Sequence, residues 1–128
     1  MTKSLPRIAD SEWRIMKLFW KRSPKSAQDV IDELAGEVDW TGKTIKTLLG
    51  RLVKKGALGY EKQGRSYLYF SRINEGECKR EETRSFVNRV FDGALKPMLA
   101  SFVEDGNLTP EELDELRRIL DKGKGDRP

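Results

Sequence analysis

Residues 40–56, WTGKTIKTLLGRLVKKG, decide the reading of this chain. At about 100° per residue, Ile45, Leu48, Leu49, Leu52 and Val53 fall on one side of a helix, spaced i, i+3, i+4, i+7 and i+8. Those residues are expected to be core. The opposite side carries Lys43, Lys46, Thr47, Gly50, Arg51 and Lys54, with no acidic residue between Thr41 and Lys55. A helix anchored by one apolar stripe and offering cations, hydroxyls and a glycine on the other has the composition of a DNA recognition helix. Thr41 is placed to cap its start and Gly56 to end it in the left-handed conformation.

Two further helices precede it. Asp10 is expected to cap the first, with Trp13, Met16, Phe19 and Trp20 as its apolar stripe, Ile8 stapling its start and Ser23-Pro24 ending it. Ser26 caps the second, with Asp29 as an imperfect capping box, Ala27, Val30, Ile31 and Leu34 inward, and Gly36 closing it. Beyond Gly56 the period changes from 3.6 to 2. Leu58, Tyr60 and Lys62 lead into Gln63-Gly64-Arg65, and Tyr67, Leu68, Tyr69 and Phe70 follow, a pattern that predicts a β-hairpin. Three helices and a hairpin whose tip is Lys62, Gly64 and Arg65 describe a winged helix containing a helix-turn-helix pair.

The second half reads differently. Asn74, with Glu77 three residues on, opens a long helix to residue 91 whose apolar face is sparse: Cys78, Phe86, Val87, Val90 and Phe91. Gly93 and Pro97 are expected to break the chain before a short apolar piece at Met98, Leu99, Phe102 and Val103, and Asp105-Gly106-Asn107 forms a turn. Thr109, Pro110 and Glu112 together satisfy three helix-start preferences, and Leu113, Leu116, Ile119 and Leu120 form the stripe of the last helix. Each of these segments is too narrow in its apolar stripe to close a core alone, so residues 73–122 read as a helical dimerisation domain. The expected organisation is a mainly α fold with one small hairpin: a winged-helix domain at 1–72, the dimerisation domain at 73–122 and a disordered tail at 123–128.

Composition narrows the function. The chain has 128 residues, one cysteine and no histidine, which argues against an internal disulfide, the usual zinc or transition-metal sites, and Ser-His-Asp or Cys-His catalysis. No Walker-type or dinucleotide glycine loop occurs, so neither enzyme activity nor a cofactor or metal is expected. No apolar run long enough to span a membrane or to serve as a signal peptide is present, and the expectation is a cytoplasmic protein without direct membrane insertion. The net charge of +4 is unevenly placed: residues 1–72 hold 15 Lys and Arg against 8 Asp and Glu, residues 73–128 hold 10 against 13. Polyanion binding therefore belongs to the first part.

Several blocks, in order, resemble one bacterial family. SEWRIMKLFW (11–20), DWTGKTIKTLLGRLVKKG (39–56), RSFVNRVFDG (84–93) and FVEDGNLTPEELDELRRIL (102–120) look like segments of the penicillinase and methicillin-resistance repressors, the BlaI/MecI-like regulators, with copper-responsive CopY-type repressors as relatives. The similarity runs from about Ser11 to Lys122. It implies a homodimeric transcriptional repressor that binds double-stranded operator DNA with its winged helix, on a palindromic site, and is held together by its C-terminal helices. It also implies inactivation by cleavage before a phenylalanine, here the Ser101-Phe102 bond in LASFVED, in response to a membrane-bound metalloprotease sensor of β-lactams. The best-known members have Asn before that phenylalanine, whereas this chain has Ser101. The Cys-x-Cys motifs of the copper-type relatives are absent.

Residue by residue, Lys43, Thr44, Lys46, Thr47 and Arg51 are expected to face base edges, and Lys54, Lys55, Lys62 and Arg65 to reach phosphates. Gly50 should cost about 1 kcal/mol relative to alanine. Either close approach to DNA compensates, or the helix simply tolerates it. The dimer contacts expected are Phe86, Val90, Phe91, Leu99, Phe102, Leu113, Leu116, Ile119 and Leu120. The alternative is a winged-helix module for protein interaction, whose mark would be an uncharged or acidic third helix.

Overall fold

Four of the helix starts among the described residues are set by side chains that accept a free backbone N–H group. In the computed structural model, which describes residues 5–125, the elements run α1 (Asp10–Lys21), α2 (Ala27–Leu34), α3 (Gly42–Lys55), β1 (Leu58–Gln63), β2 (Ser66–Ser71), α4 (Glu75–Phe91), α5 (Leu95–Glu104) and α6 (Pro110–Gly125). Ser26 and Asp29 form a complete capping box at α2: Ser26 Oγ accepts from Asp29 N at 3.1 Å and Asp29 Oδ2 accepts from Ser26 N at 2.9 Å. Those bonds, the backbone one foremost, hold the Asp29 carboxyl below its ordinary value. Thr41 Oγ1 accepts from Thr44 N at 3.1 Å at α3, and Asn74 Oδ1 accepts from Glu77 N at 3.0 Å at α4.

The start of α1 departs from expectation. Ala9, not Asp10, is the capping residue, and its N–H is bound at 2.8 Å by the Glu12 carboxylate, while Asp10 is the first helical residue. The Glu12 carboxylate folds back to bind the N–H of the capping residue, and Ala9 has no side-chain acceptor to offer the first N–H groups of the helix itself. Ile8 is buried just before this cap, and Trp13 packs against the same cluster, the arrangement of a hydrophobic staple.

The core lies among α1, α2, α3 and the base of the hairpin. Ile15, Met16, Phe19, Val30, Leu34, Ile45, Leu48, Leu49, Leu52, Ala57 and Leu58 are all buried, with Trp13, Trp20, Ile31, Val53, Tyr69 and Ile73 packed around them. Ile15 was not part of the stripe expected for α1; a helix enclosed by two others and a hairpin buries a wider face than four residues. After Gly56, whose φ is 84°, Ala57 N donates to Leu52 O at 2.9 Å, which ties the hairpin to the end of α3.

β1 and β2 pair antiparallel, from Leu58 opposite Ser71 to Gln63 opposite Ser66, around a two-residue turn of Gly64 and Arg65. Gly64 has φ 62°, and glycine at the first turn position suits the strand twist. Lys62 is thus within the ladder opposite Tyr67 and not at the tip. Lys25 adds a one-residue bridge on the other edge of β2, donating N–H to Tyr69 O at 3.0 Å and accepting from Tyr69 N at 2.7 Å.

The chain divides into two compact units after Glu81, nine residues later than the expected end of the winged helix, so the first turns of α4 belong with the N-terminal unit. Cys78 is buried there, and burial raises its thiol pKa. In the C-terminal unit, Pro97 does not break the chain. It lies in the first turn of α5, where its missing N–H has no helical partner to lose; the break falls at Asp92 and Gly93, both at positive φ. Thr109 and Glu112 form a full capping box at α6, with N–H to oxygen distances of 2.9 and 3.1 Å. This helix continues through Gly125, past the end expected at Lys122, and the rest of the tail expected to be disordered lies outside the described residues.

Candidate nucleic-acid interface

The face of α3 opposite its buried stripe is open to solvent. Lys43, Thr44, Lys46, Thr47, Gly50, Arg51 and Lys54 are all exposed, while Ile45, Leu48, Leu49 and Leu52 are at most 5% exposed. Two hydroxyls are already engaged locally: Thr44 Oγ1 lies 3.1 Å from Thr41 Oγ1, and Thr47 Oγ1 donates to Lys43 O at 3.0 Å. The four cations at 43, 46, 51 and 54 stand on one helix side without an acidic neighbour on that helix, a surface of strongly positive potential. Lys62 on β1 and Arg65 at the turn are exposed on the hairpin of the same unit.

Lys55 does not join them. Its Nζ donates to the Glu12 carboxylate and, at 2.9 Å, to Arg7 O. Glu12 is 1% exposed, and its second oxygen has no hydrogen-bond partner among the described residues. A buried carboxylate needs a counter-charge, and Lys55, itself still exposed, supplies it, so its ammonium is held toward Glu12 and away from the other cations of α3. Its position explains this. Lys55 lies about 140° around the helix from Gly50 at the centre of the outward face, nearer the buried stripe than the exposed one.

A buried cation is not foreseen from the sequence. Lys25 is 1% exposed and its Nζ donates to Glu33 at 2.8 Å, tying the bridge beside β2 to α2. Nothing in the local pattern marks a lysine before a helix cap as buried. The hairpin also carries an aromatic face: Tyr60 packs on Tyr67 at a centroid distance of 5.1 Å and on Tyr69 at 6.1 Å. Burial, then the neighbouring Tyr67 and Tyr60, raises the pKa of Tyr69. Strand alternation finds this face, since Tyr60, Lys62, Tyr67 and Tyr69 share it, but only Tyr69 reaches the core.

In the C-terminal unit the expected contact residues remain largely uncovered. Phe86, Val90, Phe102, Ile119 and Leu120 are exposed, Ile119 by 65%, and Phe91, Leu99, Leu113 and Leu116 are half-buried. From residue 82 on, Val87 alone is buried among the described residues. An open cleft of about 560 Å³ on α5 and α6 is lined by Leu95, Leu99, Val103, Leu116 and Leu120 with Lys96, Ala100 and Glu104. Ser101 and Phe102 both lie within α5 and are exposed. No helix among the described residues is long and apolar enough to cross a membrane.

The family model described as penicillinase repressor matches residues 8–122. The chain belongs to the penicillinase repressor family. Its similarity to the penicillinase repressor of Bacillus licheniformis is 41% identity over 122 residues, 95% of each chain. To the methicillin resistance regulatory protein MecI of Staphylococcus aureus (strain N315) it is 36% over 115 residues, covering 90% of this chain and 94% of MecI. This penicillinase repressor homologue also matches the solution structure of the DNA binding domain of the repressor BlaI, with TM-score 0.53 and 43% identity over 59% of this chain and 93% of that one. The Bacillus licheniformis BlaI monomeric form in complex with the blaP half-operator matches with TM-score 0.52 at the same identity and coverage. The family match and the exposed basic helix together place the solvent-facing cations of α3 in a repressor and not in an interaction module with a neutral third helix.

Proposed function

We propose that this member of the family is a DNA-binding transcriptional repressor that grips a palindromic operator as a homodimer. The observation that carries the reading is the division of α3 into a buried apolar stripe and an exposed stripe made of Lys43, Thr44, Lys46, Thr47, Gly50, Arg51 and Lys54. With this helix in the major groove, Lys46 and Arg51 meet guanine edges, and Lys54, Lys62 and Arg65 meet phosphates. The BlaI half-operator complex, formed by a homologous domain, supports operator binding by this unit.

The pairing of two chains rests on the uncovered apolar residues of α4, α5 and α6, which a second copy would bury. Linking two half-site readers raises the effective concentration of the second after the first has bound, by a factor of about 10² to 10⁴. Induction is proposed to follow the family pattern, with a membrane-bound metalloprotease sensor leading to cleavage at Ser101-Phe102 in the cytoplasm. This bond lies in a helix, so α5 must unwind locally before a protease can hold it in extended form.

The test is selection of bound duplexes from a random pool with the full chain, followed by salt titration of the winner. The expected result is an inverted repeat with half-sites one or two helical turns apart and a steep fall of affinity with salt. Recovery of unrelated sequences at equal affinity would refute sequence-specific repression.

A further inference from the structure

At the centre of the outward face of α3 the backbone is bare. A Cβ built on Gly50 would meet nothing within 4 Å, and its φ is not in the left-handed range. Neither packing nor backbone geometry inside the protein calls for glycine there, although glycine is the residue least suited to a helix interior after proline. Three residues earlier, on the same face, the Thr47 hydroxyl donates to Lys43 O at 3.0 Å. The hydroxyl hydrogen is engaged on its own helix and cannot donate to a base, which leaves the methyl and the oxygen lone pairs to face a ligand. Lys43, Lys46, Arg51 and Lys54 surround these two residues at spacings of one, four and seven along the helix.

The result is a small apolar notch rimmed by cations. Among the donors and acceptors of the major groove, the C5-methyl of thymine is the apolar group that projects toward a reading helix. We infer that Gly50 and the Thr47 methyl form a notch that receives a thymine C5-methyl in each half-site, so that Gly50 sets sequence specificity. This inference rests on the groove-reading role proposed for α3. A side chain at position 50 would fill the notch and hold the helix away from the base edges.

The experiment compares the full wild-type chain with Gly50→Ala on the duplex that wild type selects from a random pool, and on copies in which single thymines are replaced by uracil, which removes only the methyl. Gly50→Ala is expected to melt about 3 to 6 °C higher than wild type, which also reports that it folds. Its affinity for the selected duplex is expected to fall about 3- to 10-fold, the scale of one lost methyl contact. One thymine per half-site is expected to weaken wild type by a similar factor when replaced by uracil and to leave Gly50→Ala unaffected. Thr47→Val, which keeps the methyl and loses the hydroxyl, retains the thymine effect, and Thr47→Ser abolishes it. If Gly50→Ala binds the selected duplex as wild type does, with the same response to uracil, the notch is overturned while the repressor reading stands. If wild type selects no sequence at all, both fall together.

Discussion

Lys54 and Lys55 are adjacent lysines that the sequence does not distinguish, and the fold gives them opposite fates. Lys54 faces solvent on the groove-reading side; Lys55 closes an ion pair with the buried Glu12. Lys55→Ala would leave that carboxylate buried without its cation and is expected to lower stability by about 1 to 3 kcal/mol in urea unfolding, whereas Lys54→Ala should stay within about 0.5 kcal/mol. DNA binding should reverse the order, with Lys54→Ala the weaker binder at low salt and the gap closing as salt rises. Asp29 offers a pH test at the same scale. Its hydrogen bonds to Ser26 depress its folded-state pKa below the ordinary 3.8, so its ionised form favours the folded state. The stability it contributes is present above the unfolded-state value and is lost as the pH falls through the folded-state one. The stability gap between wild type and Asp29→Ala, measured by thermal melting, should be constant near neutrality and shrink below about pH 4.

Caps and turns make the elements, and here the local signals were mostly sufficient. Ser26, Thr41, Asn74 and Thr109 each cap the helix that the sequence assigned to them, because the N–H groups they bind lie three residues away and no distant neighbour is needed. Asp10 failed because Glu12 was recruited by a distant lysine and by Ala9. Pro97 failed as a breaker because proline is excluded from helix interiors and not from first turns. Within the winged helix, α3 and the hairpin are expected to contribute separately. Lys46→Ala should relax sequence preference, since a base-edge contact discriminates, while Lys62→Ala should weaken all sequences alike and flatten the salt slope by about one unit. Competition binding on operator and random duplex separates the two outcomes; identical behaviour would remove the division of roles between helix and wing.

For the whole molecule the imbalance between its two units matters most. One closes a core from α1, α2, α3 and the hairpin; the other leaves Phe86, Val90, Phe102, Ile119 and Leu120 in solvent. An apolar surface of that kind calls for a partner, and a second copy is the one proposed. A chain ending at Ser101 should therefore sediment as a monomer at concentrations where the full chain is dimeric. Its affinity for a single half-site should be close to that of the full chain, and its affinity for the complete inverted repeat about 10² or more lower. Equal affinity of both forms for the repeat would separate α6 from any role in pairing.

Periodicity and capping chemistry are local, and they were enough to determine from the sequence the order of the elements, the winged-helix pattern, the buried stripe of α3 and the basic face opposite it. The tertiary structure alone decided what depends on residues far apart in the chain. Glu12 and Lys55 are 43 positions apart and meet because α1 and α3 share a core; Lys25 meets Tyr69 because the hairpin folds back over the start of α2. The sequence also placed Gly50 on the outward face, but only the three-dimensional surroundings revealed that the space above it is empty. A side chain's face follows from helical geometry, whereas its partner follows from which other surfaces the core brings beside it.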